Sequence, residues 1–554
     1  MDAFLLKKVV TELSEMLRGA LVSKVHQPAE KEIILTLWTG RVEPRLLISA
    51  DPENCRLHLT KRKTPNPPSP PRFCQYLRKH LEGMRLVSFS LAPYDRAVRI
   101  DFQSFRPDAE HERTSLYAEL FGRHANLIYV DADGTILQPL RAVSHDESRI
   151  REIAPGLPYQ SLPRPSRVFL QEATMEDAAR IHTAGSPELA RSIMNSIAGL
   201  GRELAREAAQ RGKESPKALF EALRELARRY ENDEFEPVIA TLPDNKTRIL
   251  PFPCHAAGFL EFQLFKTAND AADRFYSAAA ENHELSVLRQ QLSSRIAALL
   301  KKERHKLENV GGDEKRLVEG LEGNVRGETL KANLGGLSKG MTSFSGIPLD
   351  PALSPVENMN RYFRLARKAK NAMEIVRKRK RDVAESIYYI ESLEANLSAA
   401  RTRDELIAVR QELSASFSPP QKKSARKKGG PSRADASPRP VTPHMDTVVF
   451  RGFTILVGRN NTGNDRIVKD SSPDDLWLHT QGIPGSHVLI KQPPGKEIPN
   501  EVIEEGARLA VLHSKARGSS NVPVFLASAK HVSKFKGAKP GLVRIAKYRT
   551  INVN

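Results

Sequence analysis

Apolar positions recur along the chain with two periods, and the switches between them divide it into regions. Phe4, Val9, Leu13 and Leu17 fall near helical spacing and predict an amphipathic helix over 1–19. Strand-like runs follow at 21–27, 32–39, 45–49 and 56–60, with Trp38 expected in the core. A proline-rich loop at 65–71 leads into a helix over 73–82. Further strands are read at 85–92, 97–102, 114–120 and 126–130, with a turn at Asp131-Ala132-Asp133-Gly134. The first 160 residues therefore read as a mixed α+β unit with a large antiparallel sheet. Helical periodicity takes over at 175–231, and 233–275 returns to strands that end in a helix near 273–280.

From 277 to 415 the pattern is that of long helices. Leu285, Leu288, Leu292, Ile296 and Leu299 step by three and four, and Val383, Ile387, Ile390, Leu393 and Leu397 do the same, which is a coiled-coil seam. A glycine-rich segment at 335–346, then Leu349-Asp350-Pro351, makes the chain reverse between them. The two arms are expected to pair antiparallel around a small tip at 318–356, and the second, read as one helix over 358–412, would span roughly 80 Å. The last region opens with a hairpin, 447–450 and 453–457, around Arg451-Gly452. It continues with a helix over 499–514 that has Pro499 in its first turn, and a strand at 522–527. Trp477, in an alternating strand, reads as a core anchor.

Composition sharpens this division. A chain of 554 residues is too long for one core and implies roughly three to five units. No apolar run approaches the roughly 20 residues of a membrane span, and the N-terminus lacks the pattern of a signal peptide. Cys55, Cys74 and Cys254 form no CxxC motif and no disulfide framework, so a reducing cytoplasm is expected. Of the net charge of +20, residues 416–445 carry +6 and residues 506–554 carry +10 with no acid among them. The first segment, rich in Pro, Ser, Lys and Arg, reads as a disordered basic tether; the second points to a nucleic-acid partner ahead of an anionic membrane or an acidic protein.

Four places carry candidate chemistry. Asp95-Arg96, in a strand connection, is either a local ion pair or an arginine aimed at a phosphate or base edge. Gly122 permits a bulge that would turn Arg123, His124 and Asn126 toward a ligand, or those groups satisfy the bent backbone. Gly199-Leu200-Gly201-Arg202 is a tight turn before a helix, whose free N–H groups suit a phosphate. The stretch 458–488 gathers Asn460, Asn461, Asn464, His479 and His487, and the basic end adds Lys534, Lys536 and Lys539. No carboxylate or cysteine set accompanies the two histidines, so they read as RNA-facing or structural rather than as metal ligands, and no cofactor is expected.

Taken in order, these segments resemble a known family. Asp95-Arg96, Phe121-Gly122-Arg123-His124-Ala125-Asn126, Arg151-Glu152-Ile153-Ala154-Pro155-Gly156 and the turn at 199–207 are followed by Leu349-Asp350-Pro351, Ser354-Pro355, Glu357-Asn358 and Arg361-Tyr362-Phe363. Asp475-Leu476-Trp477-Leu478-His479-Thr480, Pro484-Gly485-Ser486-His487-Val488 and Gly537-Ala538-Lys539-Pro540-Gly541 complete the set. With them the chain resembles the NFACT family over nearly its whole length. The resemblance implies a multidomain α+β protein: a glycosylase-like N-terminal domain in two parts, 1–174 and 233–276, with a helix-hairpin-helix at 175–232 between them. A long antiparallel coiled coil with a middle tip (277–415), the linker (416–445) and a C-terminal α/β NFACT-R RNA-binding domain (446–554) would follow.

It also implies a non-enzymatic, monomeric, cytoplasmic factor for ribosome-associated quality control. Such a factor binds stalled large (50S) ribosomal subunits carrying peptidyl-tRNA and a nascent chain, and it recruits tRNA, chiefly alanyl-tRNA. It directs template-free alanine tailing while the ribosome makes the peptide bonds. Asp95 and Arg96 match the family's tRNA-engaging pair. Two positions depart from the family pattern: Gly463 stands where glutamine is common, and 527–532 lacks an expected Asp-Tyr-Thr. Three other readings stay open: a stalled-subunit sensor without tailing, a DNA glycosylase-like enzyme and a fibronectin-binding adhesin. Asp2 and Ala3 replace the proline nucleophile and glutamate of such glycosylases.

Overall fold

The computed structural model describes residues 1–104, 112–163, 166–183, 189–256, 258–417 and 444–553. The core of the expected tether, 418–443, lies outside the described residues. The chain divides into two units, 1–281 and 282–554.

Unit 1 begins with α1 (Ala3–Leu17), capped by Asp2, whose carboxylate accepts the Leu5 N–H at 2.9 Å. A nine-stranded antiparallel sheet follows: β1 (Leu21–Ala29), β2 (Glu32–Trp38), β3 (Arg45–Ser49), β4 (Arg56–Leu59), β5 (Arg85–Leu91), β6 (Ala97–Gln103), β7 (Arg113–Glu119), β8 (Asn126–Asp131) and β9 (Ile136–Pro139). Its spatial order is β4-β3-β2-β1-β5-β6-β7-β8-β9. The helix α2 (Arg72–Leu81) and α1 bury Phe73, Leu77, Leu5, Leu6, Val9 and Leu13 with the inward positions of the strands. Each such side chain contributes about 1.5–3 kcal/mol on leaving water. Trp38 does not join this core. It is the last residue of β2, past a run of buried positions, and is 40% exposed.

A second core in unit 1 is helical. The parallel pair β10 (Val168–Phe169) and β11 (Ile197–Ala198) accompanies α3 (Met175–His182), α4 (Leu189–Ser196), α5 (Arg202–Arg211) and α6 (Pro216–Glu231). The antiparallel strands β12 (Val238–Thr241), β13 (Thr247–Leu250) and β14 (Glu261–Leu264) close it. Phe4 leaves the sheet core and enters this one, where it meets Tyr230 edge-on at 5.0 Å. One helix thereby belongs to both cores.

Unit 2 is entered along α7 (Ala268–Leu321). Its short continuation α8 (Gly323–Ala332) ends at the tip, where β15 (Ser343–Phe344) and β16 (Ile347–Pro348) form a hairpin whose turn residues, Ser345 and Gly346, both have positive φ. The return arm is α9 (Pro355–Ala399), started by a capping box between Ser354 and Glu357 with Pro355 at the first helical position. The arms are antiparallel: Lys380 pairs with Glu314 at 2.6 Å, Arg304 with Glu391 at 3.0 Å, and Arg289 donates to the Ala400 carbonyl at 2.6 Å. Near the tip, glycines bring them close. A Cβ on Gly323 would lie 2.9 Å from the Tyr362 carbonyl oxygen, and one on Gly327 would lie 2.8 Å from the Phe363 ring.

The expected single helix over 358–412 is corrected: it breaks after Ala399 and restarts as α10 (Arg403–Phe417). Ala400 is extended, the N–H groups of Arg401 and Thr402 donate to Glu405 at 2.6 and 2.9 Å, and the Glu405 N–H donates to the Thr402 hydroxyl at 3.3 Å. This cap turns α10 back so that Leu406, Val409 and Leu413 bury against Leu292, Ile296, Leu300, Tyr389, Ile390, Leu393 and Leu397.

The C-terminal domain is a six-stranded antiparallel sheet of β17 (Met445–Phe450), β18 (Phe453–Gly458), β19 (Leu476–Thr480), β20 (Val488–Ile490), β21 (Val522–Ser528) and β24 (Arg549–Val553), ordered β17-β18-β20-β19-β21-β24. Alternate residues face opposite sides. Ile455, Val457, Leu478, Val524 and Leu526 pack with α12 (Asn500–Leu512). Leu456, Trp477, Phe525 and Ala527 pack instead with α11 (Asn461–Lys469) and the short pair β22 (Val532–Ser533) and β23 (Arg544–Ile545). Trp477 is 1% exposed, as expected of an anchor. Among the described residues no helix is long and apolar enough to cross a membrane.

Candidate nucleic-acid interface

In unit 1 the connection from β5 to β6 is a tight turn in which the Asp95 N–H donates to the Ala92 carbonyl at 3.1 Å. Tyr94 is held there at φ +58°. Its N–H donates to the Tyr230 hydroxyl at 2.9 Å, and the two rings stack at 4.0 Å. A β-carbon on Gly199 would come within 2.7 Å of Tyr94 Cβ, and Gly199 sits at φ +90°. Only glycine lets the turn before α5 press onto the turn before β6. The Asp95 carboxylate accepts the Arg96 N–H at 2.7 Å, so aspartate shapes the backbone that carries the arginine; no Asp95–Arg96 ion pair is found among the described residues.

These two turns border a cavity of about 660 Å³. Asp95, Arg96, Arg123, His124, Gly199 and Gly201 all line it, brought together from three segments far apart in sequence. Arg123 and His124 are exposed on a one-turn 3-10 helix after Gly122 (φ +62°), with Arg123 Nε donating to His124 Nε2 at 3.0 Å. Arg202 is exposed at the start of α5, whose N-cap, Gly201, offers no side-chain acceptor to the first N–H groups. Arg141 and Arg167 also line the cavity and went unnoticed in the sequence; no motif marks them, and the sheet places the first while a bond from Arg167 to the Met194 carbonyl holds the second. Arg96, Arg123 and Arg141 form no ion pair among the described residues. Asp2 lies at the floor, its carboxyl pushed up by burial against the pull of the N–H bonds from Leu5 and Phe4 and of the nearby Arg96.

Arg151, another lining residue, is already engaged. It pairs with Glu119, which is 1% exposed, and Tyr159 donates to the same carboxylate at 2.8 Å while stacking on Tyr117 at 3.8 Å. The Arg151 segment thus meets Glu119 and Tyr159 as a buried clasp on the cavity wall. Asn126 does not reach a ligand, and that expectation is corrected. It is 1% exposed, donates to the Arg141 carbonyl at 2.7 Å, and accepts N–H groups from Leu127 and Arg141 at 3.0 Å. The bend after Gly122 needs those partners.

The C-terminal expectations divide the same way. Asn460 is the N-cap of α11 and accepts the Gly463 N–H at 2.6 Å. Asn461 donates to Ser392 and Glu412, both at 3.0 Å. Asn464 accepts the His487 N–H at 2.9 Å and donates to the Gly485 carbonyl at 3.4 Å. All three asparagines are 2% exposed, so the reading that they face RNA is corrected: they hold the domain together and fasten it to α9 and α10. His479 and His487 flank Trp477 in the core; burial lowers His479 to about 4 and His487 well below its ordinary value, so both are neutral structural residues. Lys539 turns inward too, donating to Ser386 at 3.0 Å over the rings of Tyr389 and Phe417. Lys534 pairs with Asp465 and, like Lys536, is exposed. The same end of the chain carries exposed Lys530, Arg544, Lys547 and Arg549, none in an ion pair among the described residues. Among the described residues no cluster of His, Cys, Asp or Glu could hold a metal ion.

The family model for the NFACT N-terminal and middle domains matches residues 2–430, and that for the NFACT protein RNA binding domain matches 446–547. The chain belongs to the NFACT family. Its NFACT relatives include the Rqc2 homolog RqcH of Bacillus subtilis, 32% identical over 98% of this chain and 95% of that protein. The Rqc2 homolog RqcH of Streptococcus pneumoniae is 29% identical over 100% of this chain and 97% of its own. Human ribosome quality control complex subunit NEMF is 32% identical over 24% of this chain and 12% of its length. The second NFACT match coincides with the domain whose acid-free end carries the unpaired cations.

Proposed function

We propose that this NFACT protein is a cytoplasmic ribosome-associated quality control factor. It binds stalled 50S subunits that still hold peptidyl-tRNA, recruits tRNA, chiefly alanyl-tRNA, and directs template-free alanine tailing of the nascent chain for degradation. The ribosome makes the peptide bonds; the protein positions the tRNA. The names carried by its full-length relatives support this role. The observation that carries the tRNA-binding part is the cavity of unit 1, where Arg96, Arg123 and His124 converge with the uncapped start of α5. Unpaired arginines beside free backbone N–H groups suit a phosphodiester. Gly199, Gly201 and Arg202 would then work as a helix-hairpin-helix in a glycosylase-like domain. The paired arms, α7 with α9, would act as a coiled coil that reaches the large subunit.

The test is Asp95→Ala combined with Arg96→Ala in tagged protein purified from cells. Subunit binding should persist, tRNA should disappear from the preparation, and nascent chains should lose their C-terminal alanines. Unchanged tRNA recovery sinks the role given to the cavity. A wild type that retains tRNA but adds no alanine would make it a sensor of stalled subunits without tailing.

A further inference from the structure

The segment between β22 and β23 is arranged against the usual preference of its side chains. Lys539 turns inward, and Lys534, itself exposed, is tied down by an ion pair. Lys534 pairs with Asp465, whose other oxygen accepts the Gly541 N–H at 3.0 Å, and Lys539 lies 5.3 Å from the Tyr389 ring centre and 5.2 Å from that of Phe417. Between these two anchors the chain makes a tight turn: the Ala538 N–H donates to the Phe535 carbonyl at 3.1 Å, and Gly537 sits at φ +83°. The turn presents Phe535, 43% exposed, and Lys536 to solvent. At the other end of the same two-stranded ribbon, Tyr548 is 51% exposed and held edge-on against Phe525 at 4.5 Å, between exposed Lys547 and Arg549. The ladder pairs Ser533 with Arg544 and Val532 with Ile545, and the Ala546 N–H donates to the His531 carbonyl, so Phe535 follows one end of the ribbon and Tyr548 the other. Of the domain's other large rings, Trp477 is 1% and Phe453 7% exposed, and Phe450 and Phe525 are half-buried. A lone exposed aromatic residue is ordinary. Two of them, each braced and set among cations with no acid between 506 and 554, are not.

We infer that Phe535 and Tyr548 are stacking platforms for unpaired bases, and that the C-terminal domain engages single-stranded in preference to duplex RNA. The inference rests on the RNA-binding reading of this domain and deepens it. Every base has a π-face, so an aromatic side chain can stack on any unpaired nucleotide, while Lys536, Arg544, Lys547 and Arg549 follow the phosphates. A duplex hides those faces inside its own stack and would meet only the cations.

The experiment measures fluorescence anisotropy of the full chain with a labelled 12-nucleotide oligouridine and, separately, with a labelled blunt-ended RNA duplex. Phe535→Ala and Tyr548→Ala should each weaken oligouridine binding about tenfold, within the range of base–aromatic stacking, with duplex binding unaffected. Tyr548→Phe should bind as wild type. The salt slope should be unchanged in the aromatic variants and shallower by about 0.7 in Lys536→Ala. Unaltered Trp477 fluorescence, read in a Trp38→Phe background, establishes that each variant is folded. Equal losses on both RNAs, or no loss on either, overturns the stacking assignment while the domain remains an RNA binder. Failure of the wild type to bind either RNA overturns that underlying reading as well. Aromatic-dependent binding to phosphatidylserine vesicles, with RNA unaffected, would reassign the surface to membranes.

Discussion

Replacing Glu412 by glutamine should make the C-terminal half of the protein more stable at alkaline pH, by an amount the structure sets. Glu412 is 2% exposed on α10. One oxygen accepts from Asn461 Nδ2 at 3.0 Å and Tyr389 at 3.5 Å, and the Asn461 and Thr462 N–H groups at the start of α11 also donate to the carboxylate; the other oxygen has no partner among the described residues. Burial pushes its carboxyl from the ordinary 4.5 up to about 7, although those hydrogen bonds pull the other way. In the unfolded chain Glu412 ionises near 4.5, while in the folded chain it keeps its proton until about 7, so its contribution is present in full below 4.5 and lost as pH rises through 7. The loss amounts to about 3 kcal/mol. Glutamine has no proton to lose. The advantage of Glu412→Gln over wild type should therefore grow by about 3 kcal/mol between roughly pH 4.5 and pH 8. In urea titrations that is a relative midpoint shift of about 1–3 M. Trp477 fluorescence reports the transition, in a Trp38→Phe background because Trp38 is 40% exposed and adds its own signal. Burial lowers His479, His487 and His513 in both proteins, so their contributions cancel in the difference. A difference that stays constant across this pH range would refute the reasoning.

Three further substitutions probe other points. Arg151→Ala leaves the buried Glu119 without its cation and should cost about 3–5 kcal/mol, read as a lower first transition in scanning calorimetry. Gly199→Ala places a β-carbon 2.7 Å from Tyr94 at φ +90°, so more than about 1 kcal/mol should be lost, and co-purified tRNA with it. Gly463→Gln restores the family's residue but sets a β-carbon 2.2 Å from the His444 carbonyl oxygen; β17 should detach, seen as faster hydrogen exchange at 445–450.

Periodicity was a good guide wherever one face of an element is buried. The sheet of unit 1, the two arms and the alternation through Trp477 all follow from it. It failed where a local cap overrides the pattern. Thr402 and Glu405 have the spacing of a capping box, and that signal, rather than the apolar steps on either side, marks where the second arm breaks. The same lesson applies to Asn460: an asparagine before a helix is first a cap, and the polar cluster at 460–464 proved to be internal hydrogen bonding. The cavity residues were legible as separate motifs. Their convergence was not, because it depends on a glycine contact between turns some hundred residues apart. Phe535 and Tyr548 could have been noticed as aromatic residues interleaved with cations, but their exposure is set by tertiary anchors, Asp465 and Phe525, that no local pattern reveals.

The antiparallel arms also dictate an order of assembly. Going outward from the tip, Gly327 faces Phe363, Glu314 faces Lys380, Glu391 faces Arg304, and Arg289 reaches Ala400. Each successive contact closes a longer loop of chain, at an entropic cost that rises with the logarithm of its length. The hairpin at the tip is thus the cheapest nucleus, and the arms should close from it like a zipper. The seat for the C-terminal domain, built from Ser392, Ala399 and Glu412, is completed only when that zipper reaches its last teeth. A chain emerging from its own ribosome would thereby finish the arm before the domain it carries can dock.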